Sequence, residues 1–203
     1  MQIRQLSIAD AYEVTPILRS DDRGTFLEWY RFDRLEETIG HSLDLRQANT
    51  SISRRGAVRG IHFADIPRGQ AKYVTVVRGS ILDFVVDVRV GSSTFGGWDS
   101  VVLDDQDYRA LYLAEGLGHL FVALEDNTTV SYLVSDTYNP ATEHGVNPFD
   151  PDIALVFPSD LSELLISEKD RDAPSLSALA AAGSLPTIEE ASALYESLNR
   201  AVS

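Results

Sequence analysis

Arg59 and His62 are the first candidate pair of reactive side chains, in the segment Arg59-Gly60-Ile61-His62-Phe63. A histidine can accept a proton near neutral pH, and a guanidinium group suits the geometry of phosphate. A histidine in an apolar strand is, however, more often a hydrogen-bonded core residue than a catalyst. Positions 59 and 62 fall on opposite faces of a regular strand, so a shared site requires a bend or bulge, which we expect Gly60 to supply.

Lys72 and Tyr132 are predicted to point inward. Lys72 opens the strand Lys72-Tyr73-Val74-Thr75-Val76 and shares a face with Val74 and Val76, and Tyr132 lies on the apolar face of its own strand. An inward lysine is costly unless it has a partner or a function. Considered alone, Lys72 is better explained as a lysine at a strand end that extends to water, and Tyr132 as a buried phenol that only makes a hydrogen bond.

Asp170 could orient the histidine, although a residue in Ser167-Glu168-Lys169-Asp170 is also typical of a turn or a helix start. Together, His62, Asp170, Lys72 and Tyr132 supply a base, its carboxylate, a cation and an acid. This set suits abstraction of a proton next to a carbonyl group, with the cation stabilising the enolate oxygen and the acid returning a proton.

Gln47, Asn49 and Ser51 share one face of a predicted strand. A row of amide and hydroxyl groups is either a solvated exterior or the polar lining of a pocket. Considered alone, the pattern favours the solvated exterior.

Metal and thiol chemistry find no support in the sequence. There is no cysteine, which excludes disulfides, thiol catalysis and cysteine-ligated metals. The chain has four histidines, none close to another in sequence: His41, His62, His119 and His144. No His-x-His or His-Glu-x-x-His motif, nucleophile elbow or P-loop is present, so a metal site would have to be assembled from distant histidines and has no support in the sequence.

The overall charge also limits the possible partners. The 203 residues carry 17 Lys and Arg against 31 Asp and Glu, a net charge of −14. A protein of this sign is unsuited to nucleic acid or to an anionic membrane, although a few cations in one pocket can still bind a small anion. The N-terminus lacks a basic stretch followed by an apolar run, and no segment has the roughly 20 apolar residues of a membrane span. We therefore expect a cytoplasmic protein.

Short runs rich in Val, Ile, Leu, Tyr and Thr follow one another between about residues 43 and 134, separated by Gly, Asp and Asn. We predict strands at 74–77, 81–88, 98–103, 110–113, 119–124 and 128–134. Strands spaced this closely favour an antiparallel sandwich or barrel over alternating β/α units. The sequence thus predicts a mainly β protein with a jelly-roll-like barrel.

Helices are predicted on both sides of the barrel. Residues 31–39 can form a short helix ended by Gly40, and residues 175–182 form an alanine-rich helix that stops at Gly183. A further helix begins after Pro186, where the sequence has capping-box spacing, and C-terminal helices should therefore occupy about 175–202. Its apolar stripe predicts packing on the barrel or on a second subunit. Without repeats or a linker, residues 1–203 form a single predicted domain.

Several motifs in this chain resemble those of one enzyme family. They are Asp22-Arg23-Gly24-Thr25-Phe26-Leu27-Glu28, Gln47-Ala48-Asn49-Thr50-Ser51, Gly56-Ala57-Val58-Arg59-Gly60-Ile61-His62, Pro67-Arg68-Gly69-Gln70-Ala71-Lys72, Glu115-Gly116-Leu117-Gly118-His119-Leu120-Phe121, Tyr138-Asn139-Pro140 and Ser167-Glu168-Lys169-Asp170. The sequence resembles the dTDP-4-dehydrorhamnose 3,5-epimerases, which are cupin-fold enzymes acting on sugar nucleotides. The likeness covers about three-quarters of the chain in the family's order.

The resemblance implies a role for each matching residue. His62 matches the base that removes the C3 and C5 protons, with Asp170 holding its ring, while Lys72 stabilises the enolate and Tyr132 returns a proton from the opposite face. The residues matching substrate contacts are Gln47, Asn49, Arg59, His119, Glu143 and Lys169, together with Tyr138, which stacks on thymine. Arg23, Phe26 and Glu28 lie in the motif that reaches the nucleotide from a neighbouring subunit, which implies a homodimer. The family works without metal or cofactor.

This resemblance implies conversion of dTDP-4-dehydro-6-deoxy-D-glucose to dTDP-4-dehydro-L-rhamnose. Three alternatives remain open from the sequence. Relatives that invert a single centre, C3 or C5, of a dTDP-4-keto-6-deoxyhexose share most of these motifs. A non-catalytic sugar-nucleotide binding module and a metal-dependent cupin enzyme could use the same barrel.

Overall fold

Two antiparallel sheets form the body of the molecule in a computed structural model that describes residues 1–202. The first, sheet I, has the spatial order β1 (Gln2–Gln5), β2 (Ala11–Thr15), β10 (Ala110–Leu113), β7 (Lys72–Arg78), β12 (Thr128–Val134) and β5 (Gln47–Ser53). The second, sheet II, has the order β13 (Glu143–Gly145), β6 (Ala57–Ala64), β11 (Leu117–Ala123), β8 (Ser80–Asp87) and β9 (Trp98–Asp104). Strand β14 (Leu165–Ile166) adds to β6 in parallel.

The smaller elements lie outside these sheets. Strands β3 (Arg19–Asp21) and β4 (Gly24–Phe26) form a separate hairpin. The helices are α1 (Phe32–Ile39), α2 (Glu168–Arg171), α3 (Leu176–Ala181) and α4 (Ile188–Val202). No helix in the described range is long and apolar enough to cross a membrane.

The predicted mainly β, jelly-roll-like architecture is confirmed, and strands β10 and β12 have the bounds that the sequence pattern predicted. The sheets nevertheless extend beyond residues 43–134. Strand β2 pairs with β10 and β1 pairs with β2, while β13 and β14 both pair with β6. The pattern missed these strands because β1 is an exposed polar edge and β13 and β14 have only two or three residues.

The space between the sheets is filled from alternating strand positions. Val74 and Val76 of β7 meet Val85 of β8 and Phe121 of β11 in one apolar cluster. The other face of β8 is buried as well, because Phe84 and its neighbours of the same parity pack beneath the C-terminal segment. Apolar side chains therefore fill the space between the sheets around these residues. A cavity between the sheets is expected where polar residues replace them.

Helix α4 begins with the predicted capping box. The Thr187 backbone N–H donates to a Glu190 carboxylate oxygen at 2.9 Å, and the Glu190 N–H donates to Thr187 Oγ1 at 3.1 Å. The helix packs on the barrel of its own chain, since Ala191 is fully buried and the Tyr195 hydroxyl donates to the Glu115 backbone oxygen at 2.6 Å. Residue 203 lies outside the described range.

Candidate functional site

A cavity of about 530 Å³ opens between the two sheets. Eleven of the fourteen residues predicted for the site line it: Gln47, Asn49, Arg59, His62, Lys72, His119, Tyr132, Tyr138, Glu143, Lys169 and Asp170. Residues separated by up to 123 positions in the chain therefore meet around one volume that can hold a small molecule.

The two sheets contribute different side chains to this cavity. Sheet I contributes Lys72 and Tyr132, and sheet II contributes His62 and His119. The inward orientation predicted for Lys72 and Tyr132 is confirmed, because both lie between the sheets.

The interpretation of Gln47, Asn49 and Ser51 as a solvated exterior is wrong. All three are half-buried and line the cavity, whereas the alternate residues of β5 face solvent. The Gln47 side chain donates to Asn49 Oδ1 at 2.7 Å and accepts the backbone N–H of Tyr138 at 3.0 Å. The alternation identified the shared face correctly but not what covers it.

A bulge in β6 brings Arg59 and His62 to the same cavity, as expected from Gly60. The pairing of β6 with β11 shifts between His119 and Phe121, and Gly60 has a φ of +116°. A Cβ atom at position 60 would lie 2.2 Å from the His119 carbonyl oxygen. Only glycine allows the strands to approach this closely, and the extra residue moves Arg59 onto the face of His62.

His62 and Asp170 form a hydrogen-bonded pair at the edge of the cavity. Histidine Nε2 and Asp170 Oδ1 are 2.7 Å apart. Burial acts to raise the pKa of Asp170, but the hydrogen bond and charge of His62 and the hydroxyl of Ser167 outweigh it, so that this pKa is lowered. The ionised carboxylate accepts the Nε2 proton, which leaves Nδ1 as the ring nitrogen that can act as a base.

Lys72 is a buried cation with only indirect charge compensation. The residue is 7% exposed, and no hydrogen bond or ion pair reaches its ammonium group from the described part of the chain. Burial lowers the pKa of Lys72, while the more distant charges of Glu143 and Asp83 oppose this effect. Such a group gains most when a negative charge forms beside it.

The Tyr132 phenol is suited to donate a proton. Burial raises its pKa, and the charge of Glu143 acts in the same direction, whereas Arg59 and Asn49 act against it. The hydroxyl therefore stays protonated well into the alkaline range. Because Tyr132 belongs to sheet I and His62 to sheet II, an acid and a base face the cavity from opposite sides.

A second histidine–aspartate pair lies deeper in sheet II and was only half predicted. His119 Nε2 is 2.6 Å from Asp83 Oδ1, and Asp83 is fully buried in β8. Its second oxygen, Oδ2, has no hydrogen-bond partner among the described residues. Sequence reasoning missed Asp83, although an aspartate within the apolar run 81–88 is itself a signal, since a buried carboxylate needs a partner.

The cavity has the charge needed for an anion despite the net charge of −14. Its lining contains Arg59, Lys72 and Lys169 as fixed cations, against the carboxylates Glu143 and Asp170. Arg59 Nε donates to Ser53 Oγ at 3.2 Å, which holds one side of its guanidinium group in place. The lining therefore favours a ligand that carries phosphate.

Arg23, Phe26 and Glu28 do not line this cavity in a single chain. Arg23 lies at the tip of the β3–β4 hairpin with its side chain 89% exposed, and it bonds the carboxylate of Asp21. Phe26 is 65% exposed at the end of the hairpin. Glu28 pairs with Arg31 on the surface.

Metal-ligating side chains do not cluster in the described residues, where no group of three His, Asp or Glu side chains is placed to hold an ion. The four histidines are spread over different hydrogen-bonding partners. Three of them pair with aspartates, and His41 lies against Ser42 and Tyr195.

Residues 5–178 match the family model described as dTDP-4-dehydrorhamnose 3,5-epimerase. The chain belongs to this family. The dTDP-4-dehydrorhamnose 3,5-epimerase of Mycolicibacterium smegmatis is 52% identical over 200 residues, which cover 98% of each chain. The dTDP-4-dehydrorhamnose 3-epimerase of Streptomyces niveus is 54% identical over 187 residues, which cover 92% of this chain and 89% of the relative.

Solved structures of the epimerase family have the same fold. The rmlC epimerase of Mycobacterium tuberculosis matches with a TM-score of 0.96 and 47% identity, covering 98% of this chain and all of that one. ChmJ, a 3′-monoepimerase from Streptomyces bikiniensis in complex with dTDP, matches with a TM-score of 0.94 and 43% identity, covering 97% and 98%. That ChmJ protein is a His→Asn and Tyr→Phe double mutant whose two substituted positions are 70 residues apart.

Proposed function

We propose that this epimerase converts dTDP-4-dehydro-6-deoxy-D-glucose to dTDP-4-dehydro-L-rhamnose by inverting C3 and C5. The observation that carries the proposal is the placement of His62 and Tyr132 on opposite sheets of one cavity that Lys72 also lines. Inversion requires that a proton leave one face of a carbon and return on the other.

The chemistry follows from the acidity of carbons next to a ketone. His62 Nδ1 removes the proton from C3 or C5, and the negative charge moves to the C4 oxygen. The ammonium group of Lys72 stabilises this enolate, and its burial makes the interaction stronger than in water. Tyr132 then donates its proton to the opposite face of the same carbon, and the Asp170 carboxylate stabilises the imidazolium form of His62.

Nucleotide binding is assigned to the remaining polar residues. We infer that Arg59 and Lys169 contact the pyrophosphate and that Gln47, Asn49, His119 and Glu143 contact the sugar. Tyr138 is 53% exposed at the rim of the cavity, where its ring is available to stack on thymine. The dTDP bound by ChmJ supports a nucleotide of this class.

One spacing supports the acid and base assignments. His62 and Tyr132 are 70 residues apart, the same separation as the substituted histidine and tyrosine of ChmJ.

The proposed function is tested by epimerisation of dTDP-4-keto-6-deoxyglucose in D₂O, with NMR detection of label at C3 and C5. We expect both positions to exchange and the product to be L-configured. His62→Ala and Tyr132→Phe should abolish turnover and leave dTDP binding within about twofold.

Inversion of C3 alone is the second candidate, because the Streptomyces niveus relative and ChmJ are single-centre epimerases. The same experiment separates the two candidates. Deuterium at C3 with an unlabelled C5 would replace the double epimerisation by the single one. Absence of any exchange, with dTDP still bound, would instead support a binding module.

A homodimer is proposed from the position of the β3–β4 hairpin. Arg23 and Phe26 are exposed and outside the cavity of their own chain, which suits residues that complete the site of a partner. Mixing His62→Ala with Arg23→Ala, each nearly inactive alone, should restore activity through hybrid dimers with one intact site. A monomer in light scattering, or mixtures as inactive as their components, would contradict the shared site.

A further inference from the structure

Lys72 depends on its backbone for its position, because no polar side chain in the described range holds its ammonium group. The residue begins β7 and pairs with Leu113 of β10 on one side and Val134 of β12 on the other. A residue at the end of a strand is followed by paired residues in only one direction along the chain, so its pairing can open locally. What lies just beyond this row of three residues therefore determines how well Lys72 is placed.

The row is continued by side-chain hydrogen bonds. Ala71, which precedes Lys72, donates its backbone N–H to Ser135 Oγ at 2.8 Å and accepts the Ser135 N–H at 3.1 Å. The Ser135 hydroxyl in turn donates to Glu115 Oε1 at 2.8 Å. Ser135 follows β12 and Glu115 follows β10, so the ends of three neighbouring strands are joined through one carboxylate.

Glu115 is buried to a degree that needs a reason. It is 4% exposed, and its Oε2 has no hydrogen-bond partner among the residues described. Burial raises the pKa of Glu115, with the Ser135 hydroxyl acting in the opposite direction. The loop leading to Lys72 rests on this side chain, since a Cβ atom on Gly69 would lie 2.5 Å from the Glu115 Cβ.

We propose that Glu115 is a positioning residue for Lys72 and acts through Ser135 and Ala71. The inference rests on the proposed function, in which Lys72 stabilises the enolate. Because that charge exists only during the reaction, a displaced ammonium group weakens the transition state more than the bound substrate. A small displacement of a reacting group is enough to lower turnover by one to two orders of magnitude.

Ser135→Ala and Glu115→Leu test the connection at two points. Each should lower kcat about tenfold and leave KM and the Kd for dTDP within about twofold. Glu115→Gln retains an oxygen that accepts from Ser135 and should recover most of kcat. Tyr195→Phe is the matched control, because its hydroxyl bonds the Glu115 backbone oxygen and not the carboxylate. It should leave kcat unchanged even where it lowers Tm.

A double-mutant cycle shows whether the effect passes through Lys72. In a Lys72→Met background, Ser135→Ala should cost little further activity, measured as deuterium exchange at C3. Full additivity, or a normal kcat in Ser135→Ala and Glu115→Leu with only a lower Tm, would show a purely structural carboxylate. If the wild type fails to epimerise the keto sugar, the proposed function is wrong, whereas normal wild-type turnover with unaffected variants rejects only the role of Glu115.

Discussion

The histidine–aspartate pairs of His62 and His119 have their histidines on adjacent strands but differ in how they are built. His62 and His119 face each other across β6 and β11. The carboxylate for His62 comes from α2, outside the sheets, where Ser167 Oγ accepts the Asp170 N–H and the histidine side chain stays 26% exposed. The carboxylate for His119 comes from the neighbouring strand β8 and is inaccessible to solvent.

This difference separates two functions. A base must exchange protons with its substrate in every turnover, and the accessible pair at the cavity edge allows this. Asp83 is instead enclosed and paired with His119, and its charge acts to raise the pKa of Lys72. In the proposed mechanism, the same residue types therefore serve proton transfer in one pair and electrostatic support in the other.

Asp170→Asn tests the accessible pair and should have the largest effect. Without the carboxylate, the imidazolium form of His62 is no longer stabilised, so kcat should fall about 10³-fold, with exchange at C3 and C5 reduced alike. The Kd for dTDP should stay within about twofold. The comparison breaks if this variant loses less activity than Asp83→Asn.

Lys72→Met should lower kcat about 100-fold and make the protein more stable. Because burial lowers the pKa of Lys72, the unfolded chain binds more protons than the folded one between the folded and unfolded pKa values. Wild-type stability should therefore rise with pH across that window, and the variant should lose this rise. Urea unfolding at neutral pH should show a gain of about 1 kcal/mol; a loss would mean that Lys72 is well compensated in the free enzyme.

Asp83→Asn should have the smallest effect on kcat, about tenfold at neutral pH, but a distinctive pH dependence. The charge of Asp83 raises the pKa of Lys72, so its removal should move the alkaline fall of kcat to lower pH. Asp170→Asn should not move that limb. Asp152→Asn, a change at an exposed carboxylate, is the matched control. If the alkaline fall of kcat occurs at the same pH in Asp83→Asn as in the wild type, the buried pair does not influence the pKa of Lys72.

The sequence predicted the inward side chains but not the second aspartate. Lys72 and Tyr132 could be placed because strand alternation fixes which residues share a face. Alternation failed for Gln47 and Asn49, since it does not show whether a polar face is open to solvent or covered by another sheet. For β8 the apolar run 81–88 predicted a strand and no site residue, and Phe84 packs away from the cavity on the face opposite to Asp83.

The bulge was predictable from one glycine, whereas the position of Asp170 was not. Gly60 stood between two residues that needed a common face, and its geometry in the structure accounts for how they share it. The Asp170 carboxylate reaches His62 across 108 residues, a contact that depends on how the segment after the barrel folds back. Local patterns carry no information about such a return, so Asp170 was a candidate by residue type alone until the family resemblance implied its role.

The proposed proton donor and proton acceptor belong to different sheets, and their separation is thus a property of the apolar filling between those sheets. Interiors are packed densely enough that one added or deleted methylene shifts the layers around it. Substitutions at Val76 or Val85, which belong to this filling and do not line the cavity, can consequently alter which carbon meets both groups. Evolution can therefore change the stereochemical outcome in such a scaffold through buried substitutions beneath the binding surface as well as through substitutions on it.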